Sequence, residues 1–126
     1  MHISTLSLRN FRSYEEMRFT WDDGVNVIYG DNARGKTNLL EALYFLVIGR
    51  SFRVQAVKNL IRDGADAFYL QATFQKYGVD QKVAAGFDGT LRRTVVNSTT
   101  YPSFTNLVGV LYGVVCTPDD NSIIMG

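Results

Sequence analysis

The octet Gly30-Asp31-Asn32-Ala33-Arg34-Gly35-Lys36-Thr37 constrains this chain more than any other segment, because it fits the spacing G-x-x-x-x-G-K-[ST] at every fixed position. Its two glycines let the backbone wrap so that successive N–H groups face inward and form a nest for phosphate oxygens. The loop needs a buried strand before it and a helix start after it, whose unpaired amides and positive dipole end complete the cradle. Val25-Asn26-Val27-Ile28-Tyr29 is β-branched and nearly continuous, the pattern of a central buried strand. Leu39, Leu40, Leu43, Leu46 and Val47 recur at helical spacing, which predicts an amphipathic helix at about 36–48, ended by Gly49. The residue types assign roles for a bound nucleoside triphosphate. Main-chain amides from Gly30 to Thr37 hold the phosphates, Lys36 reaches the β- and γ-phosphates, and the Thr37 hydroxyl ligates Mg²⁺.

The flanking sequence is strand-rich. Leu6 and Leu8 alternate with polar residues, as do Met17 and Phe19, predicting strands at 2–9 and 14–20 with one buried face each. Trp21-Asp22-Asp23-Gly24 reads as a turn. Phe68, Leu70, Ala72 and Phe74 alternate, then Val83, Ala85 and Phe87. Asp88-Gly89 is expected to supply two left-handed positions of a tight hairpin, from which Leu91 to Val96 returns. These aromatic residues are expected in the core. Asn97 to Ser103 reads as a polar loop, Phe104 to Leu111 as a short helix or a strand, and Val114-Val115-Cys116 as a buried strand. Thr117-Pro118-Asp119-Asp120 carries the chemistry of a helix start: an N-cap, a proline in the first turn and acids at the dipole's positive end. Only six residues follow Asp120, so the sequence reads as a piece of a longer chain.

Composition removes several function classes. The length of 126 residues suits one domain, and 46% hydrophobic and 20% charged residues suit a globular one. The uninterrupted apolar run from Ala42 to Gly49 is far short of the roughly 20 residues of a membrane span, and the N-terminus has no secretory pattern. A single cysteine, Cys116, excludes an internal disulfide and fits a reducing cytoplasm. With one histidine, His2, the usual His/Cys zinc clusters are excluded and a His-based triad is not expected. A net charge of +1 gives no bulk signal for nucleic acid.

Ser7-Leu8-Arg9-Asn10-Phe11-Arg12-Ser13-Tyr14 ahead of the phosphate loop resembles the opening of the RecF family and its SMC relatives. The run from Gly30 through Asn38-Leu39-Leu40-Glu41-Ala42 is similar to that family's loop and helix, Gly49-Arg50-Ser51-Phe52-Arg53 to the segment after it, and Val115 to Asp120 to the segment that opens its helical lobe. The resemblance implies an α/β fold: the N-terminal lobe of an ABC-type P-loop ATPase head across 1–126, with a central sheet, a P-loop helix and an antiparallel β-meander. It implies ATP and Mg²⁺ as cofactors, and a side-chain bond from Asn38 to the α-phosphate. It also implies an approach of Arg12 to the nucleotide. It further implies a DNA repair and replication role on single-stranded or gapped DNA, RecA loading with RecO and RecR, the SOS response, and an ATP-dependent homodimer. The family's signature motif, Walker B acids and switch histidine have no counterpart in this sequence, so no catalytic residue is expected within it and hydrolysis is expected only from a full-length dimer.

From Ala42 to Arg62 no acid occurs, while Arg50, Arg53, Lys58 and Arg62 are basic and Phe52 is interleaved. Such a stretch suits sequence-independent phosphate contacts with DNA, and equally a solvated face. Arg92 and Arg93 point to opposite faces of one strand, so at most one joins any patch. Two other readings fit the loop itself. A small, complete nucleotide kinase would need Asp119 or Asp120 to hold Mg²⁺ through water. A non-catalytic nucleotide-binding lobe would need nothing more.

Overall fold

A computed structural model of the chain describes residues 2–20, 26–28, 33–50, 56–111, 114–117 and 122–125. Alternation of apolar residues builds a six-stranded antiparallel sheet, and two interruptions of that alternation shape it. Strand β1 (His2–Phe11) buries Ile3, Leu6, Leu8 and Phe11. Ile3 and Leu6 share a face because the register slips between Ile3 and Thr5, and a bulge restores the phase. Leu8 and Phe11 share it because Asn10 adopts left-handed backbone (φ 52°), which carries the strand beyond the predicted end at residue 9.

β1 lies between β2 (Tyr14–Thr20) and β4 (Phe68–Lys76), and β5 (Val79–Phe87), β6 (Arg92–Val96) and β7 (Thr99–Tyr101) continue the sheet in the order β2-β1-β4-β5-β6-β7. Phe68, Leu70, Ala72 and Phe74 are buried as the alternation predicts. Tyr69, on the opposite face, is 41% exposed. The β4–β5 turn is Tyr77-Gly78, both left-handed (φ 55° and 75°), closed by the Lys76–Val79 pair. This matches the twist of a two-residue hairpin.

Two turn expectations are corrected. At Asp88-Gly89 only Gly89 is left-handed (φ 94°). The connection runs from Asp88 to Leu91, with the Asp88 carboxylate accepting the Thr90 and Leu91 N–H groups at 2.9 and 2.6 Å. Asn97 to Ser103 is not a single loop: Asn97 (φ 55°) and Ser98 turn the chain into β7, and only the segment after Tyr101 leaves the sheet. Phe104–Leu107 then forms a 3₁₀ turn capped by the Ser103 hydroxyl, which accepts the Thr105 N–H.

The helix α1 (Ala33–Ile48) packs on the inner face of the sheet through Leu39, Ala42, Leu43, Phe45 and Leu46. Phe45 makes edge-on contacts with Phe104 and Phe68 at ring separations of 4.9 and 5.8 Å. Gly49 ends the helix as expected. Its N–H bonds the Phe45 carbonyl at 2.7 Å, its φ is +87°, and a Cβ there would stand 2.7 Å from the Phe104 carbonyl oxygen.

A separate three-stranded antiparallel sheet has the order β3-β9-β8, from β3 (Asn26–Ile28), β8 (Val114–Thr117) and β9 (Ser122–Met125). It corrects two expectations. Among the described residues β3 pairs only with β9, so it is an edge strand and not a central one. The helix start at Thr117 is also overturned: Thr117 closes β8 and pairs with Ser122. The β-branched Ile123 and Ile124 supply the strand preference, and they bridge to Ile28 and Val27 on one side and to Cys116 and Val115 on the other. Residues 118–121 lie outside the described residues.

Candidate functional site

The phosphate-loop sequence follows β3, which ends at Ile28, and its last five residues run into α1, which begins at Ala33. The helix starts three positions earlier than the predicted 36, because the apolar repeat that reports a helix in sequence begins only at Leu39. Gly30, Asp31 and Asn32 lie outside the described residues. Ala33, Arg34, Gly35, Lys36 and Thr37 form the first turn and a half of α1, and for these five the description is of backbone alone. A helix's first four N–H groups have no intrahelical acceptor, so this end of α1 presents amide donors and the positive end of the helix dipole.

Beside that helix end stands the β1–β2 corner, Asn10 to Ser13. Asn10 and Arg12 both hold left-handed backbone (φ 52° and 54°), a conformation that costs a non-glycine residue about 1–2 kcal/mol and persists where surrounding contacts fix it. The contacts are visible. Arg12 N–H donates to the Leu60 carbonyl at 2.9 Å, Arg62 N–H donates to the Asn10 carbonyl at 2.8 Å, and Phe11 bridges to Ile61. The corner is thereby stitched to the 3₁₀ turn Val57–Leu60 and the residues that follow it.

Side chains then join the corner to α1. Arg12 donates from Nε to Glu41 Oε1 at 2.7 Å and from Nη2 to Glu41 Oε2 at 3.0 Å. Asn38 Nδ2 donates to Ser13 Oγ at 2.8 Å. Asn38 and Glu41 are three residues apart, so they occupy one flank of the helix, and both are buried although polar. A fully buried carboxylate is tolerated where a paired guanidinium and its hydrogen bonds replace water.

These contacts sharpen two roles implied by resemblance. Two of the five N–H donors of Arg12 go to Glu41, so its first structural task is to hold the corner on the helix. Asn38, one residue past Thr37, faces Ser13. Ser13 and Glu41 lie within the two segments that carry the family resemblance, but sequence reasoning assigns neither a role. The one available signal was an acid at position 41 inside the apolar run of the helix.

The basic residues are dispersed. Arg62 lines an open cleft of about 520 Å³ with Arg12, Ser13, Asn38 and Asn59, and its Nη2 lies 3.9 Å from a Glu15 carboxylate oxygen. Lys58 is exposed on the 3₁₀ turn. Arg50 is exposed just past Gly49, nine residues beyond Glu41, or roughly 13 Å farther along the helix direction. Arg53 lies outside the described residues. Arg92 sits 5.8 Å from the centre of the Phe104 ring, whereas Arg93 pairs with Gly86 on the opposite face, as the strand period requires. Among the described residues no helix is long and apolar enough to cross a membrane.

Residues 2–104 match the family model described as the RecF/RecN/SMC N-terminal domain. The chain belongs to this family. Within it, the chain matches the N-terminal part of RecF: it is 42% identical over its whole length to a DNA replication and repair protein RecF of Protochlamydia amoebophila, and 41% identical to that of Carboxydothermus hydrogenoformans. In both cases it covers 35% of the relative, so the chain spans about a third of the length of the curated relatives it matches. A solved structure of the recombination mediator protein RecF with ATP, from the RecFOR pathway, superposes with a TM-score of 0.80 at 29% identity, over 94% of this chain and 32% of that one. The SMC head domain of Thermotoga maritima shares the fold, with a TM-score of 0.63 at 17% identity over 90% of this chain and 43% of that one. The RecF-type architecture expected from the sequence, an ABC-type head lobe with a P-loop helix against a β-meander, is therefore the fold of this chain.

Proposed function

We propose that this lobe binds ATP with Mg²⁺ as part of a RecF-type DNA repair and replication protein. The observation that supports the reading is that α1 begins at Ala33, inside the Gly30–Thr37 sequence, with Asn38 of the same helix bonded to Ser13 of the Asn10–Ser13 corner. Main-chain amides of Gly30, Asp31, Asn32, Ala33, Arg34, Gly35, Lys36 and Thr37 would hold the phosphates, and the Lys36 ammonium would neutralise the terminal ones. The described parts suit this cargo, because the amides at the start of α1 are donors without helical acceptors and an anion is their natural partner. Thr37 offers the hard oxygen that Mg²⁺ prefers, and the metal's contribution when bound is to neutralise phosphate charge. Asn38 would add a side-chain bond to the α-phosphate, and Arg12 would approach the nucleotide from the corner. Similarity to RecF solved with ATP supports the same assignment.

Whole-protein activity follows by analogy with the relatives. It comprises a cytoplasmic protein whose ATP-dependent homodimer binds single-stranded or gapped DNA and acts with RecO and RecR to load RecA in the SOS response. Hydrolysis is assigned to a full-length dimer, in which further residues would orient water and stabilise the transferring phosphate. DNA contacts are assigned to Arg50, Arg53, Lys58 and Arg62.

Titration of a fluorescent ATP analogue into the chain tests the central claim. Lys36→Ala is expected to weaken binding about tenfold to a hundredfold, the worth of one charge-assisted phosphate contact. Thr37→Ala is expected to remove only the Mg²⁺-dependent part. Equal affinity in Lys36→Ala would reject the site. For DNA, reversing Arg50 and Arg62 in the full-length protein should weaken binding to all sequences and flatten the salt dependence by about one unit per lost phosphate contact.

A further inference from the structure

Arg9, Tyr69, Gly86 and Arg93 stand in one row across β1, β4, β5 and β6, each paired directly with the next. Directly opposed residues project from the same face of a sheet. The adjacent row, Leu8, Leu70, Ala85 and Thr94, is buried beneath, so the first row lies on the face turned away from α1. Gly86 and its neighbour-but-one Ala84 are too small to fill the space between Tyr69 and Val95. They leave a hollow of about 410 Å³ with Arg9 and Arg93 at opposite sides. Its floor is apolar, and Leu91 beside it is 65% exposed.

The charges around this hollow are uneven. Arg9 and Arg93 are exposed, and among the described residues neither forms an ion pair within 4 Å. Glu16 lies opposite Arg9 on β2, and Asp88 stands at the rim within electrostatic reach of Arg93. The Asp88 carboxylate is already occupied by two backbone N–H groups. Two uncommitted guanidinium groups over an apolar floor suit a partner that carries separate negative charges and an apolar group between them. A continuous phosphate backbone fits less well, since it gains nothing from the apolar floor between the two guanidinium groups.

Spacing makes the partner specific. Arg9 and Arg93 are three strands apart, about 14 Å. An extended peptide advances about 3.4 Å per residue and turns alternate side chains to one side, so four residues cross that distance. We propose that this outer sheet face, independently of nucleotide binding, docks an acidic segment of a partner protein with the pattern acid-x-apolar-x-acid. The outer carboxylates meet Arg9 and Arg93, and the central side chain enters the Gly86–Ala84 hollow against Tyr69.

A fluorescein-labelled heptapeptide of sequence GESFSEG, titrated with the chain at low salt and read by anisotropy, tests this docking. Saturable binding is expected. Arg9→Glu and Arg93→Glu should each weaken it about threefold to tenfold. Gly86→Val should abolish it by filling the floor, and a Cβ at that position meets Tyr69 Cδ2 at an ordinary 3.5 Å, so the sheet has room for it. A peptide with its two acids adjacent should bind more weakly. Failure to saturate by about 1 mM, or unchanged affinity in both Arg9→Glu and Gly86→Val, would overturn the proposal. A labelled oligo-thymidylate that binds the wild-type chain and is lost in the same arginine variants, while the peptide does not bind, would assign the face to nucleic acid instead.

Discussion

Arg12 and Glu41 meet across 29 positions of sequence through a two-pronged ion pair, with the guanidinium 23% exposed and the carboxylate fully buried. The pair ties the left-handed β1–β2 corner to the helix that follows the phosphate-loop sequence, and the Asn38–Ser13 hydrogen bond repeats the tie one helical turn earlier.

Breaking that pair from one side should be costly. Glu41→Gln leaves the half-sheltered Arg12 charge without its partner, and about 2–4 kcal/mol of stability should be lost, read from the urea midpoint of unfolding. Arg12→Lys should lose part of this, because an ammonium cannot reproduce the planar fork. Replacing both residues by Met should recover most of the loss, since a buried ion pair adds little net stability over an apolar pair. A double variant as unstable as Glu41→Gln would show that the corner needs the charges themselves.

Gly49→Ala should destabilise the fold by about 2–4 kcal/mol. The new Cβ faces both a left-handed backbone and the Phe104 carbonyl oxygen at 2.7 Å, which belongs to the turn packed on Phe45 and cannot retreat without disturbing it. Thermal unfolding reads this directly. A change smaller than about 1 kcal/mol would mean that the Phe104 turn yields.

Tyr77→Asn should stabilise the chain by about 0.5–1 kcal/mol. Tyr77 is 89% exposed and left-handed at the tip of the β4–β5 hairpin, so its ring buries little while its backbone is strained. Asn tolerates that conformation, and Asn-Gly is the preferred pair for such a turn. Chemical denaturation of the two proteins provides the comparison.

Asp88 gives the β5–β6 connection a pH dependence. The Leu91 and Thr90 N–H groups hold its carboxyl below the ordinary value of 3.8. A group whose pKa is lowered on folding adds stability that is fully present above the unfolded value and is lost as pH falls through the folded one. The stability gap between the wild-type chain and Asp88→Ala should therefore be constant near neutrality and narrow below about pH 4. A gap independent of pH would show that the carboxylate charge contributes nothing to the turn.

Local chemistry determined much of this protein. The period-two pattern of β4 and β5, the apolar repeat of α1, the stop at Gly49 and the strand-loop-helix order around Gly30–Thr37 follow from side-chain spacing and glycine conformation, which neighbouring residues specify. The turn at Tyr77-Gly78 escaped because a tyrosine at its first position hides a turn usually marked by Asn or Asp. Thr117 went the other way: its helix-start chemistry is real, but pairing of Ile123 and Ile124 with two neighbouring strands outweighs a local preference worth about 1 kcal/mol. What tertiary structure alone decided are the long-range partners: Glu41 for Arg12, Leu60 for the Arg12 N–H, and the row that sets Arg9 and Arg93 about the Gly86 hollow. These depend on which strands become neighbours and in what register, and a one-residue slip would send each side chain to the other face.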